Sequence, residues 1–258
     1  MNYELPKPVL VVVDKLKEHG YSTYIYGECV RLLIQGQTPL DYDLTTDADS
    51  DRIAAIFDEK QLQGFITLKS HLRGELVAFL NENASLTFDA IAYAPNRELI
   101  DPFNGVEALQ KGILTLLLGK SVRRVDLETV LMWKNASEAL TQHSKLFVDL
   151  IPELTMLDSK QLSLTFNSVG NSSPILSLRY ALLFDLLGKP DCLSKTPDGE
   201  ESFHGEHERS RIYAKRIMTR LDCSPDIIAE VEHIIEHCRD IIQNPRRVQK
   251  HMLQKGEP

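Results

Sequence analysis

Two aspartates one residue apart, Asp41 and Asp43, are well suited by type and spacing to metal chemistry. They lie in PLDYDLTTDA, residues 39–48, in which LDYDLTTD is a predicted strand that ends in polar residues. Because strand side chains alternate between faces, both carboxylates point one way and Tyr42 points the other. Such carboxylates repel unless a cation lies between them, and Mg²⁺ commonly takes one or two carboxylates plus substrate phosphates. The stretch therefore predicts a Mg²⁺ site.

Gly27 lies upstream of the acids, between a predicted strand (YSTYIYG) and a predicted short helix (GECVRLLIQGQ). A helix N-terminus presents free N–H groups and partial positive charge to a phosphate. A helix opened by glycine and followed closely by an Asp-x-Asp strand indicates a nucleoside triphosphate site. The alternative for Asp41 and Asp43 is a polar turn that ends an edge strand.

The elements that must position these residues indicate an α/β (α+β) unit with a small mixed sheet, followed by an all-helical body. Helix patterns at PKPVLVVVDKLKEHG and SDRIAAIFDEK alternate with strand patterns at FITL, GELVAFL and LTFDAIAY. From VRRVDLETVLMWKNASEAL onward the pattern is helical, and the Gly, Ser and Asn residues of 167–174 predict a loop or linker. We predict a head domain at 1–115, a helical neck at 116–172 and a helical domain at 173–258.

Composition limits the classes of protein. The 258 residues carry a net charge of −8, so nucleic-acid binding would depend on local basic patches, such as those at 119–124, 209–220 and 244–250. No apolar stretch approaches the roughly 20 residues of a membrane span, and no signal peptide is evident. The four cysteines are scattered without a C-x-x-C motif, which predicts reduced thiols and a cytoplasmic location.

Three stretches, in the same order, resemble the tRNA nucleotidyltransferase and poly(A) polymerase family. YIYGECVRLLIQGQTPLDYDLTTDA resembles the family's head signature, which has a Gly-Gly pair, Val-Arg and Pro-x-Asp-x-Asp-Leu-x-Thr. AYAPNRELIDPFNGVEALQKG is similar to the segment that follows. LRYALLFDLLGKP, with FHGEHERSRIYAKRIMTRL and VEHIIEH, is similar to the HD-type helical domain of bacterial members.

This resemblance implies attack of an RNA 3′-hydroxyl on the α-phosphorus of CTP or ATP, with loss of pyrophosphate. Asp41 and Asp43 would be the ligands of Mg²⁺, which activates the hydroxyl and neutralises charge on the leaving group. Gly27 would help to seat the triphosphate, and Arg31 would support the site. A third carboxylate is expected on a neighbouring strand, where Asp89 is preferred to the alternative Glu75. The partners would be the triphosphate and an RNA, with tRNA as the expected acceptor.

The chain also departs from the family pattern. Glu28 replaces the second glycine of the pair, and Leu32 replaces the acid after Val-Arg. Before DAIAY, where the family has an Arg-Arg-Asp-type segment, this chain has ENASLT, which contains no arginine. In the helix that selects the base, Asp126 is retained, whereas Thr129 and Met132 stand where arginines are expected. An Asp and an Arg together imitate Watson–Crick pairing through directed hydrogen bonds, so these changes affect nucleotide selection more than metal binding.

A second, weaker metal site is predicted in the helical domain. Phe184-Asp185 stands where the family has His-Asp, which leaves Asp185, His207 and His237 as candidate ligands. His233 and His237 are four residues apart and would share a helix face. The alternative is that these histidines are ordinary surface or core residues.

Three functions remain open, in this order. The first is a divergent nucleotidyltransferase that acts on RNA 3′ ends, either by tRNA CCA addition or by polyadenylation. The second is a degenerate nucleotide- or RNA-binding relative. The third is an HD-type metal phosphohydrolase, which would need Asp185, His207 and His237 around one ion. Family members continue into a helical tail that grips the tRNA, whereas this sequence ends with NPRRVQKHMLQKGEP. We therefore expect a truncated chain or a short, diverged paralogue.

Overall fold

The chain forms two compact units, Met1–Val122 and Arg123–Pro258. We refer to them as unit 1 and unit 2. The expected three-part division at residues 115 and 172 stays a prediction. The computed structural model describes residues 3–57, 62, 64–95, 98–195, 198 and 201–243.

Unit 1 contains a mixed five-stranded sheet in the order β3-β2-β1-β4-β5. β2 and β3 are parallel and the other pairs are antiparallel, as the predicted small mixed sheet requires. The strands are β1 (Thr23–Tyr26), β2 (Tyr42–Thr46), β3 (Ile66–Ser70), β4 (Ala92–Tyr93) and β5 (Leu99–Ile100). The helices are α1 (Lys7–Glu18), α2 (Glu28–Ile34), α3 (Ser50–Ile56), α4 (Leu76–Asn83) and α5 (Gly105–Lys111), with a 3₁₀ helix at Thr87–Asp89.

One face of the sheet packs against α4. Phe79 of α4 meets Tyr26 of β1 edge-on, with ring centroids 5.0 Å apart, and Leu80 is fully buried in the same cluster. The prediction of a strand at GELVAFL was therefore wrong. Leu76, Phe79 and Leu80 have the i, i+3, i+4 spacing of a helix that buries one side. The predicted strand at LTFDAIAY is also shorter than expected, because a 3₁₀ helix takes its first half.

The residues of unit 2 that the structure describes are helical apart from loops and a short two-stranded ribbon, β6 (Ser194–Lys195) with β7 (Glu201–Ser202). The predicted fold class, a mixed-sheet head followed by a helical body, is confirmed. The helices are α6 (Arg124–Leu131), α7 (Ala136–Gln142), α8 (Ser144–Leu150), α9 (Ser159–Asn171), α10 (Leu176–Phe184), α11 (Glu206–Arg220) and α12 (Pro225–Gln243), with 3₁₀ helices at Pro152–Met156 and Pro190–Cys192.

The predicted loop at 167–174 was wrong over its first half, because α9 continues to Asn171. Gly170 does not end the helix. A Cβ at Gly170 would lie 2.5 Å from Cβ of Ser137 in α7, so glycine permits close packing of two helices here. Among the residues that the structure describes, no helix is long and apolar enough to cross a membrane.

Candidate active site

The predicted acid pair lies where β2 begins. Asp41 is exposed immediately before the strand, and Asp43 is half-buried within it. Antiparallel pairing of β1 with β2 sets Ile25 opposite Leu44, so the end of β1 and the start of α2 lie beside the start of β2. The fold therefore brings Gly27 near the acids, as the sequence predicted.

The pKa of Asp43 is raised, first by burial and then by the negative charge of Asp41. The Lys69 ammonium and a hydrogen bond from Thr67 oppose this rise, whereas the Glu28 carboxylate adds to it. Asp43 thus lies near the like charges of Asp41 and Glu28, which a bound cation would offset. The carboxylate oxygens of Asp41 and Asp43 fit Mg²⁺, which takes one or two carboxylates and completes its shell with water and substrate oxygens.

Within the described ranges, no group of three or more His, Cys, Asp or Glu side chains is placed to hold a metal ion. Asp41 and Asp43 therefore offer a pair of carboxylates.

Gly27 allows the turn from β1 into α2. Its φ of 78° lies in the region that favours glycine, and its N–H donates to the Ile91 carbonyl at 3.1 Å. The first bond of α2 runs from the Arg31 N–H to the Gly27 carbonyl at 3.1 Å. Because the Gly27 N–H is bonded to the backbone just before β4, it is not available to a phosphate, and this glycine shapes the turn. Its contact with a triphosphate stays a prediction.

Arg31 links the start of α2 to the 3₁₀ helix before β4. Its side chain is 5% exposed; Nε donates to Asp89 Oδ1 and Nη2 donates to Glu28 Oε1, both at 2.8 Å. The Arg31 guanidinium also lies 5.9 Å from the centroid of the Phe88 ring. Glu28, an expected source of repulsion, is thus paired with a cation. The supporting role predicted for Arg31 is consistent with this position and stays a prediction.

Neither candidate for the third carboxylate lies on a strand beside β2. Asp89 ends the 3₁₀ helix before β4, and β4 pairs with β1. Its carboxylate accepts a hydrogen bond from Arg31. Glu75 is exposed at the N-cap of α4. The expected strand position was therefore wrong for both residues, whereas the catalytic role of Asp89 stays a prediction.

Asp126 is completely buried at the start of α6. Its Oδ2 accepts from the Arg123 backbone N–H at 2.7 Å and from Arg123 Nε at 3.3 Å, which caps the helix. Thr129, where the family pattern has an arginine, donates its hydroxyl to the Val125 carbonyl. These contacts explain Asp126 as a capping residue, and its role in nucleotide binding stays a prediction.

The candidate ligands in the helical domain are only partly brought together. His207 Nδ1 lies 3.5 Å from Asp185 Oδ1, and its Nε2 lies 3.6 Å from Glu206 Oε1, an acid that the sequence analysis did not consider. His237 Nδ1 lies 2.9 Å from the carbonyl of His233, its neighbour on α12. Over the described part of the chain, Asp185, His207 and His237 do not form a metal-binding group.

The basic patches are rich in ion pairs. On α11, Arg211 pairs with Glu208 and Glu232, while Arg216 and Arg220 both pair with Glu153. In the patch at 119–124, Arg123 pairs with Asp126 and Arg124 pairs with Glu128. The patch at 244–250 lies outside the described residues. RNA contact through these patches stays a prediction.

Lys69 and Thr67 are the neighbours of Asp43 that the sequence analysis missed. The parallel register pairs Asp43 with Thr67 and Thr45 with Lys69. The sequence does show Thr67 in the predicted strand FITL and Lys69 two residues later, just past the end of that strand. That pattern does not reveal which strand lies beside them or in which register.

Comparisons with known proteins give the same family as the motifs. The chain matches no family model. It is 31% identical over 120 residues to the CC-adding tRNA nucleotidyltransferase of Halalkalibacterium halodurans, and the matched region covers 42% of this chain and 32% of that protein. It is 24% identical over 210 residues to the CCA-adding enzyme of Geobacillus kaustophilus, covering 65% of this chain and 52% of the relative. Poly(A) polymerase I of Haemophilus influenzae is 37% identical over 57 residues, 22% of this chain and 13% of that protein.

These matches confirm the resemblance to the tRNA nucleotidyltransferase and poly(A) polymerase family. The matched regions span 13% to 52% of the length of these three relatives, so the activity of a whole relative does not transfer directly. The crystal structure of the Bacillus stearothermophilus CCA-adding enzyme in complex with CTP aligns over 94% of this chain and 72% of that chain, at 17% identity and a TM-score of 0.48.

Proposed function

We propose that the chain is a metal-dependent nucleotidyltransferase that extends RNA 3′ ends from CTP or ATP, with tRNA as acceptor and Mg²⁺ at Asp41 and Asp43. The observation that carries the proposal is the pair of carboxylates at the start of β2, with Asp41 exposed just before the strand and Asp43 half-buried within it. The names of the relatives, CC- and CCA-adding enzymes and a poly(A) polymerase, support it. The free thiols of Cys29, Cys192 and Cys223 agree with a cytoplasmic location, which we include in the proposal.

Residues around the pair hold the site in shape. The Cys29 thiol points towards the Asp43 carbonyl at 3.9 Å and donates to the Tyr26 carbonyl at 3.1 Å, which joins α2 to both strands. Burial raises the pKa of Cys29 to about 12, so the thiol stays protonated at neutral pH. Thr67 hydrogen-bonds the Asp43 carboxylate and favours its charged form. Mg²⁺ held by Asp41 and Asp43 would polarise the α-phosphate and neutralise charge on the departing pyrophosphate.

Nucleotide addition to RNA tests the proposal. Purified protein is incubated with Mg²⁺, tRNA lacking its 3′ terminal nucleotides and each labelled nucleoside triphosphate in turn, and the product length is measured on a sequencing gel. We expect extension that is lost in the Asp41→Ala/Asp43→Ala double variant. Folded wild-type protein that extends no RNA with any triphosphate would contradict the proposal.

A degenerate binding relative is the second candidate, and one contact favours it. The Arg31 guanidinium is already paired with Glu28 and Asp89, so it is engaged before any nucleotide arrives. This candidate predicts nucleotide binding without extension. Equilibrium dialysis with labelled CTP and ATP, run on the same protein as the extension assay, separates the two candidates.

A further inference from the structure

Lys69 lies on the same face of the sheet as Asp43. β2 and β3 are parallel and in register, with Asp43 opposite Thr67 and Thr45 opposite Lys69. Because side chains alternate along a strand, Thr67 and Lys69 share a face with Asp43, and Lys69 is its diagonal neighbour. Lys69 is exposed, so its ammonium is open to a ligand that approaches the acids.

The ammonium of Lys69 is held by a neutral group. Its Nζ donates to Asn83 Oδ1 at 3.3 Å. Asn83 in turn donates from Nδ2 to the Phe79 carbonyl at 2.9 Å, which fixes the amide with its oxygen towards Lys69. An amide oxygen orients the lysine without neutralising its positive charge. By contrast, Arg31, Arg73 and Lys111 in unit 1 are each paired with a carboxylate.

A triphosphate that approaches Asp41, Asp43 and Glu28 meets a strongly negative surface. Two carboxylates and a triphosphate together exceed the charge of one divalent ion, so a fixed cation beside them stabilises the bound nucleotide. Lys69 supplies positive charge at this edge of the sheet, because it is the diagonal neighbour of Asp43 on the same face.

We propose that Lys69, oriented by Asn83, binds the phosphate oxygens of the nucleoside triphosphate beside Asp41 and Asp43. The inference rests on the proposed function, because it takes the nucleotide site to be at this pair. A phosphodiester of the RNA acceptor shares the same chemistry. The triphosphate is favoured because Asp41 and Asp43 fit an ion that completes its shell with substrate phosphates, and Lys69 lies beside them.

Direct binding of inorganic tripolyphosphate tests the role without requiring turnover. Calorimetry in the presence of Mg²⁺ compares the wild type with Lys69→Met, Lys69→Arg and the control Lys17→Met. Lys17 is a matched control because it is an exposed lysine of unit 1 that lies on α1, outside the acid pair and the basic patches. Loss of a charge-assisted bond predicts binding weaker by about tenfold or more in Lys69→Met. Lys69→Arg should bind within about threefold of the wild type, since the positive charge is retained.

Three results would overturn the inference: no binding by the wild type, unchanged binding by Lys69→Met, or equal loss in Lys69→Met and Lys17→Met. A parallel titration with RNA lacking its 3′ end identifies a role towards the acceptor, and weakened RNA binding with intact tripolyphosphate binding also contradicts the inference. Circular dichroism checks that each variant folds, and Lys69→Gln replaces Lys69→Met if that variant does not. If the protein transfers no nucleotide but binds tripolyphosphate in a way that depends on Lys69, the proposed catalysis is contradicted. The inference about Lys69 is then still supported.

Discussion

Unit 1 and unit 2 each bury an arginine, and the partners of the two side chains are opposite in kind. Arg31 in unit 1 donates to the carboxylates of Glu28 and Asp89. Arg179 in unit 2, whose residue is 2% exposed, donates to the backbone carbonyls of Leu131, Trp133 and Ser172. Equal burial therefore does not imply equal roles, because one guanidinium organises charged groups near the acid pair and the other joins chain segments.

The partners of Arg179 explain its place in the fold. Leu131 ends α6, Trp133 follows it, and Ser172 caps α9, so the guanidinium meets the carbonyl ends of two helices. Those ends carry partial negative charge and carbonyls that lack partners within the helix. The contrast predicts that changes at Arg179 lower the stability of unit 2, whereas changes at Arg31 act on unit 1 and on the site.

The largest expected effect is that of Arg179→Met. Removal of a buried donor that serves three carbonyls should lower the free energy of unfolding of unit 2 by about 3 kcal/mol or more. The protein's single tryptophan, Trp133, lies in unit 2, so its fluorescence during urea unfolding reports this unit. Arg216→Met is the control, since this arginine is 62% exposed and should cost at most about 1 kcal/mol. Equal midpoints for the two variants would show that Arg179 does not join α6 and α9.

A smaller loss of stability is expected for Arg31→Met. Removal of the guanidinium from Asp89, which is 14% exposed, should lower the free energy of unfolding of unit 1 by about 1 to 3 kcal/mol. Hydrogen exchange of the sheet amides measures the loss within unit 1. Asp89→Asn in the Arg31→Met background should recover part of it, because the unbalanced charge is then removed. Strict additivity of the two changes would argue against the pairing.

The two partners of Arg31 should differ in energy. Glu28 is 61% exposed and Asp89 is 14% exposed, so Glu28→Gln should change stability by less than about 0.5 kcal/mol and Asp89→Asn by about 1 kcal/mol. Thermal unfolding of both variants, followed by circular dichroism, measures this order. The reverse order would mean that the Glu28 contact, and not the buried Asp89 contact, fixes Arg31.

Much of unit 1 follows from its sequence, and the departures have physical causes. Spacing predicted α1, α2, β1 and β2, and the alternation at Asp41 and Asp43 predicted a shared carboxylate face. The sequence could not identify the neighbour of β2, which is why Lys69 was missed. Asp89 was assigned to a strand because LTFDAIAY has a strand pattern, whereas a 3₁₀ helix takes its first half. Gly170 was misinterpreted because a glycine that permits helix packing and a glycine that ends a helix are alike in a single sequence.

The smallest expected effect on stability is that of His71. Like Arg179, this basic side chain contacts a neutral group and not a carboxylate. Its Nδ1 lies 2.9 Å from the Thr45 hydroxyl, and burial lowers its pKa although Asp47 opposes the shift. A lowered pKa means that the unfolded chain takes up the proton first. The stabilisation is therefore complete above the unfolded value of about 6.5 and is lost as the pH falls below it.

Urea midpoints measured by circular dichroism between neutral and mildly acidic pH test this prediction. The decline on acidification should be smaller in His71→Gln than in the wild type. His19→Gln, a change at an exposed histidine at the end of α1, serves as the control. An identical decline in all three proteins would assign the acid sensitivity to other groups.

The central claim is that Asp43 takes part in nucleotidyl transfer, and single-turnover incorporation of a labelled nucleotide into tRNA lacking its 3′ end tests it most directly. The comparison is between Asp43→Asn and Asp14→Asn, an exposed aspartate on α1 of the same unit. The account predicts that Asp43→Asn lowers the rate on the order of a thousandfold, while Asp14→Asn stays within about twofold of the wild type. Equal rates in the two folded variants would contradict the assignment of the acid pair as the catalytic site.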